Sequence, residues 1–75
     1  MEKTVEYYMK LPYPVRVVPT IDGGYGAEVE GLPGCWADGD TWAELEESIQ
    51  ASKRLWIESA LELGMVISEP EPIHS

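Results

Sequence analysis

Residues 41–64 read TWAELEESIQASKRLWIESALELG, and the reading of this stretch decides the fold. Thr41 is a good N-cap, and Glu44 three positions later completes a capping box that satisfies the first free N–H groups of a helix. Glu44, Glu46 and Glu47 fall in the first turns, where the helix dipole favours negative charge. Leu45, Ile49, Ser52, Trp56, Ala60 and Leu63 follow at spacings of four, three, four, four and three residues. This stripe of apolar or small side chains predicts a helix packed on a sheet, with Leu55 and Ile57 widening it or lying at its edge. Lys53 and Arg54 come in the second half, opposite in sign to the start. Gly64 reads as the helix stop. About 22 residues of helix measure roughly 33 Å, more than a few short strands can cover. The C-terminal half, with Trp56 and Leu63, therefore needs either the N-terminal segment or a second subunit to pack against.

Upstream, the pattern changes to strands. Val15-Arg16-Val17-Val18 is short and β-branched. Pro19 lacks a ladder donor and marks a strand end or an edge. Asp22-Gly23-Gly24 is a strong turn signal. Tyr25, Ala27 and Val29 then alternate with Glu28 and Glu30, so one face is apolar and the other wet. A wet face predicts an antiparallel sheet rather than a covered parallel one. Gly31-Leu32-Pro33-Gly34 breaks the chain, Cys35-Trp36-Ala37 allows a short third strand, and Asp38-Gly39-Asp40 closes it. Residues 4–10 fit a strand or a short helix equally, before Pro12 and Pro14 stop either. Met65-Val66-Ile67 is long enough for a final short strand. The expected architecture is α+β and two-layer: a small antiparallel sheet of three to four strands with one long helix packed on one face. It forms a single domain over residues 1–68, followed by a Pro-rich acidic tail over 69–75 that is expected to be extended.

Composition bounds the function. The chain has 75 residues, enough for one domain. Fourteen acidic and five basic residues give a net charge of −9. Such a chain repels phosphate backbones, so no direct nucleic-acid binding is expected. It attracts basic proteins instead, chiefly by raising association rates. The competing view is that the charge serves solubility alone. Cys35 is the only cysteine and supports no disulfide framework or zinc site, which fits a reducing cytoplasm. Met1-Glu2-Lys3-Thr4 offers no apolar signal core. No apolar run approaches the ~20 residues of a membrane span. A lone core in so short a chain supplies only about 3–5 kcal/mol, and oligomers of such domains are common. A homo-oligomer, dimer or tetramer, is therefore expected.

The chemical readings of individual residues are weak. Asp38, Asp40, Glu44, Glu46 and Glu47 are numerous enough for a metal site. However, they lie on one loop and one helix start, where capping accounts for them. Cys35 has no base beside it in sequence, and the single histidine, His74, lies in the tail. The glycines are followed by strands rather than by a helix with Lys-Ser or Lys-Thr, so they form turns and not a phosphate loop. No catalytic residue, metal or cofactor is expected. Three tryptophans are many for this length. Trp56 falls on the stripe and, with Ala60 and Leu63, is the candidate self-association surface. Trp36 and Trp42 read equally as core and as interface anchors. With Asp38, Asp40 and Glu46 they form the candidate partner-binding set.

Tyr13-Pro14-Val15, then Asp22-Gly23-Gly24-Tyr25, then Leu32-Pro33-Gly34-Cys35, then Gly39-Asp40-Thr41 with acidic residues entering a helix, together resemble the HicB antitoxin family. Trp56 late in the helix and Glu69-Pro70 after it fit the same picture, so the resemblance spans about residues 7 to 72. It implies a partial ribonuclease-H-like fold without a complete nuclease site. It also implies a partner, the small basic HicA-type toxin that cleaves messenger RNA and is blocked by binding. Many members carry a C-terminal DNA-binding segment. Here the Pro-rich tail comes last and the charge is acidic, so operator binding is not expected. In place of the usual Glu-Glu-Ala after Gly-Asp-Thr stands Trp42-Ala43-Glu44, which keeps the cap. The competing function is a stand-alone, non-catalytic regulatory or small-ligand-binding homodimer of the same fold.

Overall fold

The computed structural model describes residues 3–70. Met1, Glu2 and residues 71–75, which include His74 and most of the acidic tail, lie outside the described residues. The element order is α1 (Val5–Met9), β1 (Val15–Pro19), β2 (Tyr25–Val29), β3 (Trp36–Gly39) and α2 (Trp42–Glu62). The three strands form one antiparallel sheet in the order β1-β2-β3. The long helix lies on one face, giving the expected two-layer α+β arrangement.

The ambiguous N-terminal segment is a helix. Thr4 caps it, its Oγ1 accepting from Tyr7 N–H at 3.3 Å. One turn suffices to bury Tyr8 and to pack Val5, Tyr7 and Met9 on the core. α1 lies against α2, so of the two alternatives for supporting that long helix the N-terminal segment is the one seen.

The sheet follows its alternation. Val15, Val17 and Pro19 pair with Val29, Ala27 and Tyr25, and Ala37 stands opposite Ala27. This row faces α2. The outer face carries Arg16, Glu28 and Trp36 in one row, with an Arg16–Glu28 ion pair at 2.7 Å. At the first turn Thr20 N–H donates to Gly24 O at 3.0 Å, and Gly24 N–H donates to Thr20 Oγ1 at 3.1 Å. The Leu-Pro-Gly connection does more than break the chain, because Leu32 dips into the core and is fully buried. β3 runs further than its sequence suggests, through Asp38 and Gly39, because β2 offers Gly26 and Tyr25 as partners. Gly39 is where β3 and α2 touch. A Cβ there would lie 2.5 Å from Leu45 N.

α2 starts as expected, with Glu44 N–H donating to Thr41 Oγ1 at 3.1 Å. It also ends as expected. Gly64 adopts φ +72°, Gly64 N–H donates to Leu61 O at 3.2 Å, and Met65 N–H donates to Ala60 O at 2.9 Å. This pair of bonds is the Schellman stop, and its left-handed residue favours glycine. The buried face differs from the expected stripe. It runs Leu45, Ile49, Lys53, Ile57 and Ala60, while Ser52 and Trp56 are half-buried and Leu63 is 74% exposed. A four-residue step continues through Lys53, whose aliphatic stem packs inside.

Met65-Val66-Ile67 forms no strand. Ile67 is buried, and the segment is held by Tyr13 OH donating to Ser68 O at 2.6 Å. Glu69, the first residue of the acidic tail, accepts from Tyr7 OH at 2.7 Å and from Lys3 Nζ, so it is tied to α1 and the residues just before it. These ties favour the ionised form, lowering the Glu69 pKa through hydrogen bonds from Lys3 and then Tyr7.

Candidate functional site

Among the described residues, open grooves of differing chemistry lie along the helix, and three of them bear on function. The first lies where the β1–β2 turn meets the end of β3. Asp22, Asp38, Asp40 and Glu44 surround a cleft of about 310 Å³, with Tyr25 in its wall. The fold creates this convergence: the hairpin turn places Asp22 beside the β3 end, and the helix cap places Glu44 there. One of these carboxylates, and the backbone of a second residue, are engaged by local structure. Glu44 Oε2 accepts from Asp40 N–H at 3.0 Å, one residue before the usual capping-box partner. Asp38 N–H is held by Ser48 Oγ at 3.4 Å, which fixes β3 to α2 at this end. Asp22, Asp38, Asp40 and Glu44 are all exposed. Among the described residues no group of three or more His, Cys, Asp or Glu is placed to hold a metal ion. The carboxylates form an acidic surface and not a ligand cage.

The second groove, of about 430 Å³, lies beside the first. Trp42, Glu46 and Gln50 of α2 face Val15 and Val17 of β1 across it. Trp42 is 54% exposed, an unusual state for a tryptophan held this firmly. Its indole N–H donates to Glu46 Oε1 at 2.9 Å, and its ring meets Tyr25 edge-on at 5.8 Å. Tyr25 therefore joins the acidic cleft to the Trp42 groove, and the two make one continuous surface at the start of α2.

The third groove, of about 540 Å³, runs along the other half of the helix. Pro33 and Trp36 form one bank, Leu55, Trp56 and Leu63 the other, and Ala60 the floor. Trp56 is fastened across it, its indole N–H donating to Pro33 O at 2.8 Å.

The candidate residues are thus divided. Asp38, Asp40, Trp42 and Glu46 meet at the acidic end. Trp36, grouped with them by residue type, instead lies with Trp56, Ala60 and Leu63 in the third groove. Asp22 and Glu44 belong to the acidic end and are missed by a reading that assigns one to a turn and the other to a cap. The signal for Asp22 is the strand register, which places the β1–β2 turn beside the end of β3.

Cys35 packs in the core, and burial raises its thiol pKa, opposing the thiolate a nucleophile requires. Among the described residues no helix is long and apolar enough to cross a membrane.

The model of the HicB_like antitoxin of bacterial toxin-antitoxin systems matches residues 13–75. The UPF0150 protein ssl0259 of Synechocystis is 42% identical over 48 residues, which cover 64% of this chain and 66% of that protein. A second Synechocystis relative, UPF0150 protein ssr1765, is 36% identical over 61 residues, covering 81% of this chain and 70% of its own. The chain spans just under two thirds of the first relative's length. The family match begins at Tyr13 and runs through the whole sheet, the long helix and the three grooves described above, and on this ground the chain belongs to the HicB-like antitoxin family of bacterial toxin–antitoxin systems.

Proposed function

We propose that this protein neutralises a small basic toxin of the HicA type, which cleaves messenger RNA, by covering the toxin's RNA-binding face with its acidic end, and that it performs no catalysis itself. The observation that carries this reading is the surface around Tyr25, where Asp22, Asp38, Asp40 and Glu44 flank an exposed Trp42. A protein that binds RNA presents cations arranged for phosphates. Exposed carboxylates on a chain of net charge −9 meet those cations and speed the encounter. Trp42, already positioned by Glu46 and Tyr25, supplies the apolar anchor that charge alone lacks.

The test uses co-purification with a HicA-type toxin and an RNA-cleavage assay. The wild-type chain is expected to bind and to block cleavage. The triple variant D38N/D40N/E46Q should associate at least about tenfold more slowly at low salt, and the difference should narrow as salt rises. Unimpaired cleavage in the presence of the wild-type chain, or unchanged association by the triple variant, refutes the proposal.

A further inference from the structure

Resting on the toxin-binding role proposed above, we propose that the open edge of β1 receives an extended segment of the basic toxin, which joins the sheet as a further strand and lays its apolar side chains in the second groove. Among the described residues β1 has β2 as its one strand neighbour, so its other side is an open edge. The register fixes which groups point there. Glu30 N–H donates to Pro14 O at 2.8 Å, and Thr20 N–H donates to Gly24 O at 3.0 Å. In an antiparallel ladder such bonded pairs recur at every second residue. Arg16 and Val18 therefore bond to their partners Glu28 and Gly26, and the N–H and C=O groups of Val15 and Val17 turn away from β2. Pro19 shares their phase, so its missing N–H removes nothing from the ladder. Among the described residues no turn, loop or cap hydrogen bond takes up either outward N–H.

The sheet face beside this edge is uncovered as well. α2 packs on β3 and β2 but not on β1, and Val15 is left 37% exposed. The second groove occupies the gap, with Val15 and Val17 on one side and Trp42 and Ile49 on the other. Alternate side chains of an added strand point to the helix side and fill this groove. Free edge amides and an apolar groove thus meet in one place. The amides hold an added segment by its backbone, and the groove selects its alternate side chains.

Charge and register select the occupant. Glu46 is the one charged residue in the described lining of the groove, and β1 leads into the turn that carries Asp22 to the acidic cleft. The cation of β1, Arg16, is already paired with Glu28 at 2.7 Å. The segment that fits is apolar over Val15 and Val17 and cationic where it reaches Glu46 and the cleft. A second copy fits less well. Two-fold pairing of β1 with β1 about Val17 sets Pro19 of one copy opposite Val15 of the other, and Pro19 has no N–H for the Val15 carbonyl. Pairing about Arg16 sets two guanidinium groups directly opposite each other.

The test is backbone hydrogen exchange, followed by NMR on the full chain alone and with a HicA-type toxin. Alone, the Val15 and Val17 amides should exchange fast, and the Arg16 and Val18 amides, bonded to β2, slowly. In the complex Val15 and Val17 should slow at least about tenfold. A complex in which both stay fast overturns the strand addition and leaves neutralisation standing. Failure to form a complex overturns both. Protection of the two amides in the free chain that grows with its concentration would assign the edge to a second copy and overturn the proposal. Val17→Pro deletes the outward N–H and spares the ladder, as Pro19 does two residues on. It should unfold as cooperatively as wild type and bind the toxin at least about tenfold more weakly. Val17→Ala keeps the N–H and should lose less. Equal loss by the two variants, or none by Val17→Pro, overturns the proposal. Should Val17→Pro fail to fold, the exchange measurement on the wild type decides.

Discussion

Lys53 occupies the position where the four-residue rhythm of Leu45 and Ile49 calls for an apolar side chain, and it is 6% exposed there. A polar residue type at this step diverts a pattern reading to Ser52, and from Ser52 the next step lands on Trp56 instead of Ile57. The stem of lysine is hydrocarbon, so its charge does not exclude burial of the rest. The ammonium lies 5.8 Å from the Tyr13 ring, a cation–π contact that offsets part of its desolvation. Burial nevertheless lowers the Lys53 pKa. The folded chain then binds its proton less well than the unfolded chain, so stability rises with pH as the window from the folded pKa up to the ordinary value of 10.5 is crossed. At neutral pH the full penalty is present. Lys53→Met keeps the volume and removes the charge, and urea unfolding at pH 7 should show stability equal to wild type or up to about 1 kcal/mol higher. The variant's advantage should shrink as pH approaches the top of that window. Burial raises the Cys35 and Tyr13 pKa values, an effect of opposite sign that is common to both proteins and largely cancels in the comparison. A loss above about 1 kcal/mol at pH 7 would show that the ammonium makes an interaction the fold needs.

At the scale of elements, legibility follows how local the determining forces are. Both ends of α2 were readable because a cap and a left-handed glycine act over a few residues. Both hairpin strands were readable because period-two alternation is local too. The length of β3 and the helical state of α1 were not, since each is decided by a partner distant in sequence: β2 for one, and α2 with Glu69 for the other. Gly39 illustrates the point. It reads as part of a closing turn, yet it is the contact between β3 and α2. An added Cβ would lie 2.9 Å from Glu44 C and from Leu45 Cα as well, all backbone atoms of a rigid helix start. No rotamer change relieves such a clash, so the helix must move off the sheet. Gly39→Ala should destabilise by about 2 kcal/mol in urea unfolding, within the range for overpacked interiors. The same shift should disturb Trp42, whose fluorescence reports its contacts with Tyr25 and Glu46. An unfolding midpoint equal to that of the wild type would mean the helix start yields without cost.

For the whole molecule, the proposed surfaces differ in what drives them, and salt separates them. The acidic end is expected to owe its attraction to charge, and self-association through the Trp56, Ala60 and Leu63 surface of the third groove to apolar contact made against the mutual repulsion of two chains of −9. Screening shortens the reach of charge from about 10 Å at 0.1 M salt to about 3 Å at 1 M. Raising salt therefore weakens the attraction of a basic toxin and also weakens the repulsion between copies. Association with the toxin should slow by an order of magnitude or more between about 0.05 and 0.5 M sodium chloride. Self-association over the same range should hold or tighten, because the groove has no described charged residue to lose a partner. The two responses are measured by stopped-flow tryptophan fluorescence and by sedimentation on one preparation. If both weaken in parallel, the copies meet through charged contacts and the groove is not their interface. If neither responds, the carboxylates around Tyr25 contribute nothing to recognition, and the net charge of the chain is left with solubility as its only role.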